Sequence, residues 1–425
     1  MTPQGKQVLG IIAEYNPFHN GHLYHIQEAK RLSGCDYLIV VMSGDYVQRG
    51  TPALLDKYAR TRFALEAGAD AVLELPVALA CGSAEFFAKG AVGLLHRLGI
   101  VDTLCFGCED ADLSSLQQIA ELFAKEEPPA YKETLARLLR MGKGYPAARY
   151  EALLGLVPVK TADLLAKPNN LLAIEYLRAL SFFSSSIQPL PLKREGSGYH
   201  DTALAAATFP SATALRRQIF SALPPKNSLR SLKPYLPDFV YDYLQTSFFP
   251  LQEEDFSSVL FYALQSVQKK TTKQEQLVFL SSFQDLSPDL AGRIHSSLHR
   301  SFSFSSLVRQ LSSRNYTTAR IRRALLHLML GITVQDMDLF RSCDYAPYAR
   351  LLGMKKESGQ LFRSISEERR IPVIAKAADA KRLLTEEALY LFEQDIAAAE
   401  LYNQMVFCRY QATIPSDYYY PFLAL

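Results

Sequence analysis

An N-terminal α/β domain on a mainly parallel sheet, followed by a mostly α-helical second half, is the fold this sequence predicts. Three observations predict it. Short, unbroken apolar runs alternate with helical patterns over the first two hundred or so residues, as βαβ units require. The first run ends in a Pro/Asn/Gly loop that opens a helix, at the edge where open α/β sheets place their ligands. Beyond about residue 223 apolar residues recur at helical spacing and few β-type alternations remain. The expected division is a Rossmann-like domain over 1–222 and a helical domain over 223–425.

Taken in order, Val8 to Ala13 reads as a buried strand, apolar without alternation. Tyr15 to Gly21 is loop chemistry, and His22 to Leu32 a helix with Leu23, Ile26 and Ala29 at helical spacing. Tyr37 to Met42 is a second buried strand, and Asp56 to Ala67 is helical. A third strand, Ala71 to Leu75, stops at Pro76, which has no N–H to give a ladder. Ala84 to Leu98 reads as a helix, Thr103 to Phe106 as a fourth strand, and Leu190 to Arg194 as a late one. A Gly-Ser-Gly loop and Tyr199-His200-Asp201 follow, and Ser211 stands in an N-cap position for the next helix. Pro224, Pro225 and the basic segment through Lys233 read as a linker. In the second half Arg320 to Leu330 and Glu386 to Phe407 are amphipathic helices, and the Ser-rich stretch 301–313 is loop and helix surface.

A chain of 425 residues, about half apolar and a fifth charged, has the balance of a soluble globular enzyme with two or three domains. No apolar run approaches the roughly 20 residues that span a bilayer, and no signal peptide precedes the first strand. Six scattered cysteines suit a reducing cytoplasm rather than a disulfide framework. Cys105 and Cys108 form a C-x-x-C, but without a second pair they read as buried small hydrophobes. Against 46 basic residues stand 43 acidic ones, so distribution matters more than the net +3. Between Ala291 and Gln335 no acidic residue occurs, while Arg293, Arg300, Arg309, Arg314, Arg320, Arg322 and Arg323 do. That stretch is a candidate polyanion face, with an ordinary packed basic helix as the alternative.

The sharpest feature is Asn16-Pro17-Phe18-His19-Asn20-Gly21-His22, between a buried strand and a helix. A helix N-terminus offers unpaired N–H groups and partial positive charge, which suit phosphate oxygens. Gly21 lets a ligand approach the backbone. Imidazoles at His19 and His22 can converge on one phosphate and stabilise the charge that builds during substitution at phosphorus. The alternatives are solvated loop histidines, or a metal site on His22 and His25, for which no completing ligand is at hand. Later, Ser211-Ala-Thr-Ala-Leu-Arg216 offers another helix start, with the hydroxyls of Ser211 and Thr213 and the guanidinium of Arg216 as donors to anionic oxygens.

The H-x-G-H with a late S-x-T-x-x-R resembles the nucleotidyltransferase and class I synthetase superfamily. More specifically, Glu14 to His22, Met42-Ser-Gly-Asp-Tyr-Val-Gln-Arg-Gly50, Glu74-Leu-Pro76 and Ser83-Ala-Glu-Phe-Phe87 resemble the tRNA(Met) cytidine acetate ligase family. So do Phe106-Gly107, Pro168-Asn-Asn170, Lys193-Arg194 and Tyr199-His200-Asp201, all in order across residues 8–220. Arg314-Asn-Tyr316 through Arg320, Arg322 and Arg323 is similar to a basic segment of the same family. The resemblance implies a ligase that forms acetyl-adenylate from acetate and ATP, with Mg²⁺, and passes the acetyl group to N4 of the wobble cytidine of elongator tRNA(Met). Carried over by motif, the ATP site is Ile12, Ala13, Glu14, Tyr15, Asn16, Pro17, Phe18, His19, Asn20, Gly21, His22, Leu23, Tyr24 and His25, with Gly107, Asn169 and Arg194. His19 and His22 would stabilise phosphate charge, and Arg194 would pair with a phosphate. Arg314, Arg320, Arg322 and Arg323 would position the tRNA, with Tyr316 stacking on a base. Neither a membrane nor DNA is an expected partner, and no protein cage for a metal is expected.

Several other residues carry two readings. Asp45, Gln48 and Arg49 either meet substrate or shape their loop. Lys57, Arg60 and Arg62 read best as a solvated helix face. Glu74, inside an apolar strand, needs a partner and either makes a structural hydrogen bond or serves the site. His200 could lie near the acceptor amine or clamp a loop. Two other functions fit the motifs: an adenylyltransferase acting on a phosphorylated metabolite, and a non-catalytic RNA-binding protein on a nucleotide-binding fold. The long helical half argues against the first. The intact His19, His22, Ser211 and Arg216 argue against the second.

Overall fold

The computed structural model describes residues 5–124, 127–194, 210–222, 224–298, 302–313 and 315–425. The Gly-Ser-Gly loop, Tyr199-His200-Asp201, Arg300 and Arg314 lie outside the described residues.

The strands are β1 (Val8–Ala13), β2 (Tyr37–Ser43), β3 (Tyr46–Val47), β4 (Thr51–Pro52), β5 (Ala71–Leu75), β6 (Thr103–Cys108), β7 (Gln188–Lys193), β8 (Ala349–Met354), β9 (Val373–Ile374) and β10 (Leu423–Ala424). β3 and β4 form a small antiparallel hairpin of their own. The main sheet runs β10-β8-β5-β2-β1-β6-β7, with β9 beside β8. From β5 to β7 every pairing is parallel, in register Val8 to Tyr37 through Ala13 to Met42 between the two central strands. Central parallel strands are covered on both faces, and for that reason VLGIIA and YLIVVMS are apolar without alternation. Tyr37, Ile39 and Val41 face one core, and Leu38, Val40 and Met42 the other. Each such side chain contributes about 1.5–3 kcal/mol relative to exposure.

Four helices set the catalytic edge. α1 (Asn20–Ser33) follows β1, α2 (Lys57–Glu66) follows the hairpin, and the short α3 (Val77–Ala80) and longer α4 (Ala84–Leu98) follow β5. The strand-helix alternation and the helical second half are as the sequence predicts. The structure departs from that reading in two places. The chain returns to the sheet after residue 348: β8 lies antiparallel beside β5, and β9 and β10 pair with it. The segment after Pro224 is not a linker. It is a helical run, Pro225–Ser228, Leu229–Leu232 and Lys233–Tyr235, with Leu229 and Leu232 buried in the second core.

The Arg-rich helix Thr318–Leu330 packs onto the turn between β3 and β4, and Gly50 is the contact. Its φ is +73°, and a Cβ there would lie 2.6 Å from the Arg322 carbonyl carbon and closer still to the Arg323 nitrogen. Gly50→Ala therefore meets both left-handed strain and a backbone collision. A loss of about 2–4 kcal/mol is expected, read as a lower urea midpoint with unchanged m. Arg49→Ala, one residue away and exposed, serves as the control.

Candidate active site

β1 delivers the chain to the carboxyl edge of the sheet. Tyr15, at φ +50°, turns it and is itself buried, and the loop ends on His19, the N-cap of α1. His19 Nδ1 accepts from the Gly21 N–H at 3.0 Å, and His22 Nδ1 accepts from the His19 N–H at 3.3 Å. The two rings lie face over face, centroids 3.9 Å apart and 33° from parallel. The helix start thus differs from a bare row of N–H groups. The amides of His19 and Gly21 are taken up by the imidazoles, which pass the helix's positive end outward.

This capping box fixes the chemistry of both rings. A neutral imidazole nitrogen that accepts a hydrogen bond carries no proton, so the network assigns the proton of each ring to Nε2. Burial, then the guanidinium charges of Arg194 and Arg216, push His19 down to about 3. Burial, His19, Arg194 and His25 hold His22 well below the imidazole range. His25 is pushed down to about 4, by burial and then Arg194. At neutral pH the loop therefore presents neutral Nε2–H donors, with two permanent cations beside them.

The predicted partners come together from four other elements. Ser211 Oγ caps its helix by accepting from the Ala214 N–H at 3.2 Å. Arg216 donates to the Asn16 carbonyl at 2.5 Å and to Thr213 Oγ1 at 3.1 Å. The second motif is thereby fastened to the first. Arg194 directly follows β7, and its side chain lies over Gly107 of β6, where a Cβ would touch Arg194 Cγ at 3.4 Å. Asn169 donates from Nδ2 to Glu109 at 2.6 Å, while Glu109 also accepts from the Asn170 N–H at 2.9 Å. Asn170 Oδ1 in return accepts from the Glu109 N–H at 2.9 Å. Glu109 escapes the sequence reading, since a carboxylate in the Glu109-Asp110 loop gives no local sign that it will hold Asn169 and Asn170.

Ile12, Ala13, Glu14, Phe18, Asn20, Leu23 and Tyr24 lie on the same edge, but not all face outward. Asn16 and Phe18 are buried, and Asn16 Oδ1 accepts from the Leu54 N–H at 2.8 Å. Pro17 is buried between them. His25 Nε2 lies 3.6 Å from Cys105 Sγ. Cys105 and Cys108 are both buried small residues, and burial pushes each thiol up to about 12.

The expectation of a solvated face for Lys57 and Arg60 is corrected. Arg60 is fully buried and donates to the Leu55, Glu14 and Ser43 carbonyls at 2.9, 2.8 and 3.0 Å, and to the Gly44 carbonyl. It ties the ends of β1 and β2 together under the histidine loop. Lys57 is buried as well, donating to both oxygens of Glu74 at 2.9 Å and to Asp417 Oδ2 at 2.6 Å. Arg62 is the solvated one, paired with Glu66 along the helix. Asp45 shapes its loop, accepting from the Lys57 N–H at 2.7 Å.

For the Arg-rich helix the correction concerns Arg322, Arg323 and Tyr316. Its sequence lacks acids, but its surroundings do not: Arg322 makes a bidentate pair with Glu253 at 2.5 and 2.8 Å, and Arg323 binds Asp285 at 2.8 Å. Tyr316 is buried, bonded through its hydroxyl to Ser287, with the Arg293 and Arg320 guanidiniums over its ring. A ring so enclosed has no face for an incoming base.

A match to the HIGH Nucleotidyl Transferase family model covers residues 6–414. The chain is 40% identical over 401 residues to a tRNA(Met) cytidine acetate ligase of Thermoanaerobacter sp. strain X514, covering 93% of this chain and 94% of that one. It is 37% identical over 409 residues to the protein of the same name from Acetivibrio thermocellus, with 93% and 94% covered. Among solved structures it is similar to Thermotoga maritima TmcAL without ligand, at TM-score 0.88 and 28% identity over 99% of this chain and 100% of that one. The same protein bound with alpha-thio ATP gives 0.85 and 27% over the same shares.

Proposed function

Because this chain belongs to the HIGH nucleotidyl transferase family, among the tRNA(Met) cytidine acetate ligases, we propose that it activates acetate with ATP and acetylates a cytidine of tRNA(Met). The observation that carries the proposal is the close-packed pair His19 and His22, each with Nδ1 accepting a loop amide and Nε2 left to donate, beside Arg194 and Arg216. Such donors suit phosphate oxygens, whose charge moves toward the leaving group during substitution.

In the first step an acetate oxygen attacks the α-phosphorus of ATP. The bond from that phosphorus to the β-bridging oxygen breaks, and pyrophosphate leaves. His19 and His22 donate to the phosphates without giving up a proton. Arg194 and Arg216 offset the charge on the departing pyrophosphate, with Ser211 and Thr213 at the start of the helix that carries Arg216. Gly107, lacking a side chain, lets the Arg194 side chain lie close on β6, and Asn169, held by Glu109, is the group assigned to the adenosine. Mg²⁺ would enter on the phosphates, keeping most of its waters. The surrounding donor set of N–H groups and guanidiniums fits phosphate rather than a metal.

In the second step the exocyclic N4 of the acceptor cytidine attacks the acetyl carbonyl carbon, the bond from that carbon to the AMP phosphate oxygen breaks, AMP departs, and the amine's proton passes to water. The amine is a weak nucleophile, so holding it against the mixed anhydride supplies much of the rate. On this reading the acceptor is the wobble cytidine of elongator tRNA(Met), and N4-acetylcytidine is the product.

The test is pyrophosphate release from ATP by the purified protein with acetate and tRNA(Met), using ¹⁴C-acetate. Label in tRNA cytidine, with one pyrophosphate released per acetyl transferred, is the expected result. Turnover with a phosphorylated metabolite and none with acetate would overturn the proposal in favour of an adenylyltransferase.

A further inference from the structure

We propose that the helical run 225–235, together with Arg217, is the surface on which the sugar–phosphate backbone of the acceptor RNA docks. The proposal rests on the tRNA reading above and adds to it the place where the polyanion is held.

The run is amphipathic in an unusual sense. Pro225, Ser228, Leu229 and Leu232 are buried, while Lys226, Arg230 and Lys233 are exposed. Those three stand at i, i+4 and i+7 of a run that mixes 3-10 and α turns, so they recur about once per turn along one side of it. Their setting in the chain is equally biased. From Thr202 to Pro237 no acidic residue occurs, while Arg216, Arg217, Lys226, Arg230 and Lys233 do.

Space does not restore the missing acids as it does for the Arg-rich helix. Among the described residues, Arg217, Lys226, Arg230 and Lys233 make no ion pair, whereas Arg322 and Arg323 have Glu253 and Asp285. The charge of the run is therefore free to face a polyanion, whereas that of Arg322 and Arg323 is taken up by carboxylates. Lys233 also keeps its ammonium 5.3 Å above the Tyr241 ring, a contact that does not neutralise it.

The run is fastened to the catalytic edge at both motifs. Asn20, the residue after His19, donates from Nδ2 to the Pro234 carbonyl at 3.1 Å. Gln218, two residues after Arg216, donates from Nε2 to Ser231 Oγ at 3.3 Å. A nucleotide whose base reaches the histidine loop brings its flanking phosphates with it. Lysines and arginines along the adjoining helix are the groups that meet them, fixing orientation without reading sequence.

The experiment uses the full chain with Lys226→Ala, Arg230→Ala and Lys233→Ala combined, and a tRNA(Met) transcript. All three side chains are exposed, so the variant should melt with the wild type. Binding is followed against KCl concentration, and KM is determined for tRNA and for ATP. Loss of three phosphate contacts should raise the tRNA KM roughly tenfold or more at about 0.1 M salt and make the log–log salt slope shallower by about 2–3. The ATP KM should stay at its wild-type value. A second variant, Lys226→Arg with Lys233→Arg, keeps the charge and should keep the slope. A wild type that acetylates tRNA beside a triple variant with the same tRNA KM and the same slope overturns the docking surface and leaves the ligase reading standing. A wild type that acetylates no tRNA overturns both.

Discussion

His22→Ala should lower acetyl transfer by about 10²–10³-fold while the protein folds, melts and binds tRNA much as before. The magnitude is that of removing one preorganised donor from a site where negative charge develops. His22 donates through Nε2, and its Nδ1 is held by the His19 amide, so truncation removes the donor and frees an amide that water can satisfy. His22→Asn, which brings back a neutral N–H at shorter reach, should recover part of the loss. His19→Ala should cost as much in rate and, in addition, about 0.5–2 kcal/mol of stability, because His19 is also the N-cap of α1. His19→Asn keeps the cap and separates the two effects. A His22→Ala enzyme with full acetyl transfer would remove the histidine pair from the chemistry.

The protonation state gives a second readout of the same pair. Burial and the nearby guanidiniums hold His19 at about 3 and His22 well below the usual range, so both folded-state values are depressed. The neutral rings are then present across the whole range above about pH 5. With acetate saturating, kcat/KM for ATP, which reports groups of the free enzyme, should show no histidine limb between pH 5 and 8. A decline as pH rises through 6–7 would mean that an imidazolium is the working form. It would also place the site in a wetter environment than the capping box allows.

Much of the catalytic edge is legible because its signals are local. β1 and β5 are readable residue by residue: each is a short apolar run, and Pro76 ends the second. The histidine loop is readable because spacing and position alone place His19 and His22 at a helix start. What the sequence hides is long-range. Arg60 and Lys57, three apart on a helix, look like a solvated face, yet Arg60 meets a carbonyl 46 residues away and Lys57 a carboxylate 360 residues away. No window around α2 contains those partners. The acid-free Arg stretch misleads for the same reason, since Glu253 comes from another helix and Asp285 from a turn between two others. β8 is hidden differently: ARLLGM is too short and too mixed for its period to choose between strand and helix, and only the open edge of β5 decides.

Lys57→Met is the test of that hidden part, and the expected loss is about 3–5 kcal/mol at pH 8. Lys57 is surrounded by Glu74, Asp417 and Asp45, and these carboxylates hold its ammonium firmly charged despite burial. Methionine fills similar volume, so packing changes little, and what is left is a set of buried acids without their cation. The acids are already short of charge compensation. Burial pushes Glu74 up to about 7 even with Lys57 in place, and it pushes Asp395, a buried carboxylate that accepts from the Tyr348 hydroxyl and the Val77 N–H, also to about 7. Because these folded-state values are raised, the native state holds protons that the unfolded chain has released by about pH 4.5. Their contribution is present below that pH and is lost as pH rises through about 7. Removing Lys57 pushes Glu74 higher still, so the variant should lie close to wild type at pH 5 and fall away from it as pH rises to 8. A melting difference that is the same at both pH values would mean that lost packing, not an uncompensated charge, sets the cost. Asp417→Asn should offset part of the loss at pH 8, since one of the stranded carboxylates goes with it. The effect should reach the chemistry through α2, whose Arg60 joins Glu14 to Ser43 and Gly44 beneath the histidine loop. A loosened α2 therefore predicts a higher KM for ATP in Lys57→Met at pH 8, restored at pH 5, with the KM for tRNA little changed.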